Sequence, residues 1–271
     1  MNYNLALYCK TYVNDFSRIV KLVDSLTEHN KDSLPVYFSC PASDVDALKE
    51  TLDGFDCTVI TDEEIYIPYN VLAGWENQML IKLHAFKAIP ADNILILDSD
   101  SFFIRDFYKA DFIAYDNIPY TIIHENVQQS EYESYLKNGV YSETGYAKAV
   151  QAYRSIFGGK SNRIYDYGPN PHLWNRVVLE HFEENYLAKH KIGMEDFQMA
   201  MKQQFGIHFR ETLTYGEYLL AARPIDIVPC GPLFKVYHWK ELYDFEIKNG
   251  WAVRDKIKDT YMGIILQSNW L

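Results

Sequence analysis

Two carboxylates, Asp98 and Asp100, follow four consecutive aliphatic residues in the segment ILILDSDSFF and precede two phenylalanines. In an extended segment alternate side chains share a face, so the two acids are expected to point the same way, with Ser99 opposite. Like charges converging there repel each other unless a cation lies between them. Hard divalent ions favour one or two carboxylates together with phosphate oxygens, so D-x-D at a strand exit predicts a Mg2+ or Mn2+ site under a diphosphate. A solvated strand exit capped by aspartates is the plainer alternative.

A second signal lies upstream in GWENQMLIKLHAF. At 100° per residue Trp75, Met79, Leu83 and Phe86 fall within roughly 80° of one another, which predicts the buried face of a helix. Lys82 lies in the same arc, about 20° from Trp75, and Gln78 sits at its edge. A lysine placed there needs an anionic partner. A phosphate or sugar hydroxyl in the pocket of the aspartates would take Lys82 and Gln78; a nearby carboxylate, or a path to solvent, would also satisfy the lysine.

Lys10, Thr11 and Tyr12 follow the apolar run LALYC. There Tyr12 is placed to stack on a nucleotide base and Thr11 to hydrogen-bond it; an ordinary strand exit is the equal alternative. Gly158, Gly159 and Lys160 form a basic turn that would suit phosphates, although no G-x-x-x-x-G-K phosphate loop is present. In NPHLWN, His172 and Trp174 are candidates for the acceptor side, because an indole face suits the C–H surface of a sugar.

These residues need a frame. LALYC, a helix from about Asp15 to Leu26, PVYFSC, a helix through DVDALKETL, CTVI, a long helix from near Gly74 and NILILD alternate strand with helix. Such alternation predicts a doubly wound, mostly parallel sheet with right-handed crossovers. Ligands of such sheets sit beyond the carboxyl ends of the strands, which is where Asp98 and Asp100 fall. The later half is mixed. PYTIIHE, IDIVP, FKVYHW and GIILQ read as short strands, and HLWNRVVLEHFEENYL and EDFQMAMKQQ as helices, completing one continuous sheet. We therefore expect a single domain over residues 1–271, with a nucleotide-binding half at 1–124 and an acceptor-side half at 125–271.

The 271 residues suffice for a large core and a deep pocket. The formal net charge of -11 disfavours nucleic acid and anionic membrane as partners. No apolar run is long enough to span a membrane, and the amino terminus has no secretory pattern. Cys9, Cys40, Cys57 and Cys230 are far apart and form no C-x-x-C pair. Together these features predict a cytoplasmic protein with reduced thiols and no zinc. The 22 tyrosines offer rings and hydroxyls suited to sugars and bases, as well as to a core.

The order LALYCKTY, GWENQMLIKL, ILILDSDSFF resembles the GT-A fold of nucleotide-sugar-dependent glycosyltransferases, whose D-x-D binds Mn2+ or Mg2+ under the donor diphosphate. More closely, the chain is similar to a bacterial family of glycosyltransferase-like proteins known only as a domain of unknown function. That family has W-x-x-Q-x-x-x-K before the acidic motif, then P-x-x-W, S-E-Y-x-L-Y-G-x-Y and a late Q-S. The counterparts are Trp75, Gln78 and Lys82; Asp98 and Asp100; Pro171 and Trp174; Glu211, Tyr215, Gly216 and Tyr218; and Gln267 with Ser268. Arg210, Thr212 and Thr214 depart from the third pattern.

The resemblance implies a metal-dependent transferase acting on a nucleotide-sugar donor and a glycan or other hydroxyl acceptor, with a role in bacterial surface polysaccharide synthesis. It makes the half at 1–124 the nucleotide-sugar-binding one. It nominates His238, at a strand end, to complete the metal shell with Asp98 and Asp100; a hydrogen-bonded core histidine is the alternative. It makes Glu211 the first choice for a general base, which would invert the anomeric centre. Glu217 faces roughly 120° away on a shared helix and would not serve the same site. Asp196 is the third choice, although Glu195 and Asp196 also suit the dipole of a helix start.

Rival classes fit less well. A haloacid-dehalogenase-type phosphatase needs its D-x-D-x-T after the first strand, not the fourth. A nucleotidyltransferase needs a glycine- and arginine-rich loop where CKTYVNDF stands. A non-catalytic nucleotide- or carbohydrate-binding module would share every binding residue.

Overall fold

The computed structural model describes residues 3–69, 74–125, 145–168, 171–251 and 254–267. Ser268 and Asn170, from the Q-S and NPHLWN motifs, lie outside them.

The first half alternates as its periodicity predicts. Strand β1 (Tyr3–Lys10) leads to helix α1 (Phe16–His29), which buries Phe16, Ile19, Leu22 and Leu26 at a spacing of three and four. Strand β2 (Val36–Cys40), helix α2 (Val45–Thr51) and strand β3 (Thr58–Thr61) follow. Thr61 and Glu64 then form a reciprocal capping box that starts the short helix α3 (Asp62–Ile65) directly at the exit of β3. Helix α4 (Gly74–Ala88) and strand β4 (Ala91–Leu97) complete the set.

The main sheet has the order β3-β2-β1-β4, completed by a fifth strand, β8 (His172–Asn175), on the outer edge of β4, with β1 parallel to both β2 and β4. The chain therefore steps outward from β1 to β3 and then returns to β1's other side at β4. That reversal opens a crevice between the carboxyl ends of β1 and β4, the position where open α/β sheets bind ligands. Both faces are covered. Ala6, Tyr8, Ile94 and Ile96 enter one core, and Leu5, Leu7, Cys9, Leu95 and Leu97 enter the other. Near-continuous aliphatic runs are what a parallel strand buried on both sides requires.

The later half departs from the single sheet expected of it. Strand β5 (Ser101–Phe103) leaves the main sheet; strands β6 (Ile113–Tyr115) and β7 (Ile118–Ile122) follow it, then helix α5 (Gly145–Phe157). HLWN, expected to open a helix, is strand β8 (His172–Asn175), paired antiparallel with β4. The open edge of β4 supplies its partner. Asn175 then ends the strand by accepting from the amide of Val177, so helix α6 (Arg176–Phe182) begins one residue later. Helices α7 (Met194–Phe205) and α8 (Glu211–Ala222) pack on the same face of the sheet as α4. Strands β9 (Val228–Cys230), β10 (Phe234–Tyr237) and β11 (Gly263–Leu266) form two separate small sheets, β10-β11-β5 and β6-β7-β9.

The buried arc of α4 is also wider than its sequence pattern. Residues Met79 to Phe86 are buried on every side, whereas Trp75 is exposed. The helix enters from the surface and its carboxyl half is enclosed by the sheet, α6 and α8. No helix among the described residues is long and apolar enough to cross a membrane.

Candidate functional site

Strand β4 ends at Leu97, and Asp98 to Ser101 form a tight turn rather than an extended segment. The amide of Ser101 donates to the carbonyl of Asp98 at 3.1 Å, and its hydroxyl donates to the same oxygen at 2.6 Å. The alternation expected of Asp98, Ser99 and Asp100 is therefore replaced by turn geometry, with Ser99 buried within it. The turn is needed because the chain leaves β4 for β5, which belongs to another sheet. Burial holds the Cys9 thiol, near the end of β1, far above its usual range, and the charges of Asp98 and Asp100 each raise it further.

Lys82, projecting from the enclosed half of α4, places its Nζ 2.6 Å from Oδ1 of Asp98. The lysine is 4 % exposed. Burial pulls its pKa down, yet Asp98 and then Glu211 more than reverse this, and the net shift is upward. Glu211 opens α8, and its own pKa is raised by burial, with Lys82 opposing and Asp98 reinforcing. Lys82 and Asp98, on consecutive elements, thus pair directly, and Glu211, from α8 far along the chain, lies within electrostatic reach of both. Gln78 is half-buried one turn before Lys82 on α4.

Across the crevice, Thr11 is buried at the exit of β1, and its Oγ1 has no hydrogen-bond partner among the described residues. Tyr12 beside it is 41 % exposed, with Lys10 Nζ 5.9 Å from its ring centre. Beneath them lies a buried network. Lys10 Nζ stands 3.0 Å from Oδ2 of Asp62, and Ser39 donates to Oδ1 of Asp62 at 2.7 Å. Asp62 is raised by burial, with Lys10 opposing. The sequence reading missed Asp62, although the capping box after CTVI marked it as an acid at a strand exit.

His238 follows β10, which pairs with β11, which in turn pairs with β5 beside the acidic turn. The amide of Leu266 donates to the carbonyl of Asp100 at 3.1 Å, and Tyr237 lies opposite Leu266. At about 4.8 Å per strand, His238 sits roughly 10 Å along the backbone layer from Asp100. It is half-buried, and burial lowers its pKa while Asp166 opposes. The carboxylate of Asp166 also accepts from the amide of Gly168 at 3.0 Å, and its backbone exchanges two hydrogen bonds with the backbone of His124. Among the described residues no three His, Cys, Asp or Glu side chains form a ready metal-binding group. The hard oxygen donors of Asp98 and Asp100 within one turn still suit a Mg2+ or Mn2+ that arrives with phosphate oxygens and keeps water.

Other candidates fall elsewhere. Trp174 is buried and stacks between His172 and Tyr215, at 5.6 and 5.5 Å, so its indole is core and not a sugar platform. His172 is buried too, beside Lys82 and Asp98. Burial, then Lys82, push its pKa down to about 3. Glu217 takes a bidentate contact from Arg154 at 2.8 and 3.0 Å and a hydrogen bond from Tyr167 at 2.7 Å, turned away from Glu211. Asp196 caps α7 by accepting from the amide of Gly193 at 2.8 Å. Its neighbour Glu195 accepts from Tyr66 at 2.9 Å and the Tyr69 amide at 2.8 Å. Gly158, Gly159 and Lys160 line a cavity of about 400 Å³ with Arg154 and Arg223, at the far end of α8 from Glu211.

The model of a family of unknown function, DUF6492, matches residues 4–194. No curated protein matches the chain. Among solved structures, mouse xyloside xylosyltransferase 1 in its apo form is similar, with a TM-score of 0.51 and 11% identity over 99% of each chain. At that identity the likeness concerns the fold: a parallel-rich α/β sheet flanked by helices, of the GT-A-like kind.

Proposed function

This chain belongs to the DUF6492 family of unknown function, and from that premise we propose that it is a nucleotide-sugar-dependent glycosyltransferase acting on a hydroxyl of a glycan or similar acceptor. What supports the reading is the Lys82–Asp98 pair at 2.6 Å beside the crevice between β1 and β4, with Glu211 within electrostatic reach of it.

In this reading Thr11 and Tyr12 receive the nucleotide. The unpartnered Oγ1 of Thr11 hydrogen-bonds the base or ribose, and the exposed ring of Tyr12 stacks on it. Lys82 and Gln78 reach the diphosphate from one side, and Ser99 and the acidic turn from the other. One ammonium and three carboxylates leave the site negative, so a diphosphate needs more positive charge than Lys82 supplies. Asp98 and Asp100 would hold Mg2+ or Mn2+, with phosphate oxygens and water in place of the third protein ligand expected from His238, and the ion's chemistry there is Lewis-acid stabilisation of the leaving diphosphate.

Glu211 accepts the proton of the acceptor hydroxyl as that oxygen attacks the anomeric carbon and the bond to the diphosphate breaks. A carboxyl raised by burial is a better base near neutral pH than an ordinary one. Direct attack from the face opposite the leaving group inverts the anomeric centre. Incubation with a panel of nucleotide sugars, followed by metal-dependent release of nucleoside diphosphate, tests the reading. Release from at least one donor supports it, and none from any donor with either metal opposes it.

A further inference from the structure

Trp75, Gln78 and Lys82 occupy one face of α4, within about 60° of each other, and the face rises about 10 Å from Lys82 to Trp75. Exposure rises with it. Lys82 is buried, Gln78 is half-buried and Trp75 is 48 % exposed. The indole has one aromatic neighbour among the described residues, His208, at 5.3 Å and 72°. His208 stands three residues before Glu211, in the short connection that Gly206 opens by ending α7 in a left-handed conformation. Trp75 therefore joins the two elements that carry Lys82 and Glu211, at the mouth of the same site.

We propose that Trp75 is the platform for a sugar ring of the acceptor glycan, a reading that rests on the transferase function above and names its acceptor subsite. The alternative occupant within that reaction is the donor nucleotide, and its position argues against it. The unpartnered hydroxyl of Thr11 and the exposed ring of Tyr12 lie at the exit of β1, whereas Trp75 touches the connection leading to Glu211. An acceptor must present its hydroxyl to that carboxylate. The exposed indole offers a flat face to the C–H surface of a pyranose, without charge. The amide of Gln78, between Trp75 and Lys82, supplies both a donor and an acceptor for sugar hydroxyls. Glu76 on the same turn, and the formal charge of -11, favour a neutral saccharide over an acidic one.

The test is calorimetric titration of the full chain with xylotetraose, cellotetraose, maltotetraose and chitotetraose, using the parent, Trp75→Ala, Trp75→Phe and Trp251→Ala. Trp251 is similarly exposed, at 56 %, and serves as the control. The proposal expects at least one tetrasaccharide to bind the parent and the Trp251 variant equally. Binding should be about ten-fold weaker in Trp75→Ala and largely restored in Trp75→Phe. Absence of binding by all four, or equal binding in Trp75→Ala, overturns it. A thermal shift with UDP and Mn2+, run on the same proteins, separates the two readings. If the donor-side shift persists in Trp75→Ala while tetrasaccharide binding is unaltered, the platform fails and the transferase reading stands. Absence of donor release and shift in the parent, with Trp75-dependent tetrasaccharide binding intact, keeps Trp75 as a sugar platform but overturns the transferase reading and with it the acceptor role.

Discussion

Lys82 and Asp98 meet at 2.6 Å across sixteen residues that run from the middle of α4 to the end of β4. The ammonium is almost wholly enclosed, and the carboxylate side chain remains 30 % exposed. A buried ion pair of this kind seldom improves stability over an apolar pair, because desolvation consumes most of the attraction. Its value here is positional. It fixes a cation at the mouth of the crevice, facing Glu211 on one side and the acidic turn on the other.

Lys82→Met is accordingly expected to fold, since Asp98 keeps access to water. Its affinity for a nucleoside diphosphate should fall about ten- to a hundred-fold, the loss of one charge-assisted hydrogen bond. Titration calorimetry with UDP and Mn2+ measures this, and unchanged affinity would remove Lys82 from the donor site.

Glu211 and Glu217 separate by phenotype. Glu211→Gln should retain donor binding and lose transfer by at least about a hundred-fold. Glu217→Gln weakens the anionic half of a buried contact with Arg154 and Tyr167, so it should lower stability and leave turnover per folded molecule close to the parent. Comparison of kcat with urea midpoints for both variants decides the point, and full transfer by Glu211→Gln would move the base role elsewhere.

The parallel half was legible in the sequence because strands buried on both faces read as unbroken aliphatic runs, and Lys82 stands out on the apolar face of a helix. What escaped the sequence depends on long-range pairing. HLWN looks helical by composition and becomes a strand only because β4 offers an open edge. The acidic segment looks extended and turns only because its continuation pairs with β11. The pairing of β8 with β4 buried Trp174, whereas Trp75, expected on the buried face of α4, stands in solvent. Asp62 joined Lys10 through the stacking of β1, β2 and β3, an order no local pattern reveals.

Gly216 is required by close approach. A Cβ there would lie 2.2 Å from the ring of Tyr167, whose hydroxyl is held by Glu217. Gly216→Ala should cost about 2 kcal/mol or more through overpacking. A urea titration reads it, and a neutral result would show that the loop carrying Tyr167 yields freely.

His84 gives the stability a pH dependence. Burial, assisted by Lys87 and opposed by the Leu80 carbonyl, lowers its pKa to about 4 from 6.5. Its ring stacks on Tyr66 at 4.0 Å. Because the folded pKa lies below the unfolded one, the unfolded chain binds the proton first. Stability is then full above pH 6.5 and is lost as pH falls toward 4. The loss should reach about 2 kcal/mol by about pH 5. His84→Gln should flatten that part of the profile measured by denaturant unfolding; an unaltered slope would assign the dependence to other groups.

The central claim is that Asp98 and Asp100 grip a divalent ion that carries the donor's diphosphate. Its most direct test is the melting temperature with UDP, GDP, ADP, CDP and dTDP, each with and without Mn2+, in the parent and in Asp98→Ala/Asp100→Ala. Linkage predicts that one nucleotide raises the parent's melting temperature only when Mn2+ is also present, and that the folded double variant loses this joint rise. A joint rise of equal size in the double variant would contradict the claim.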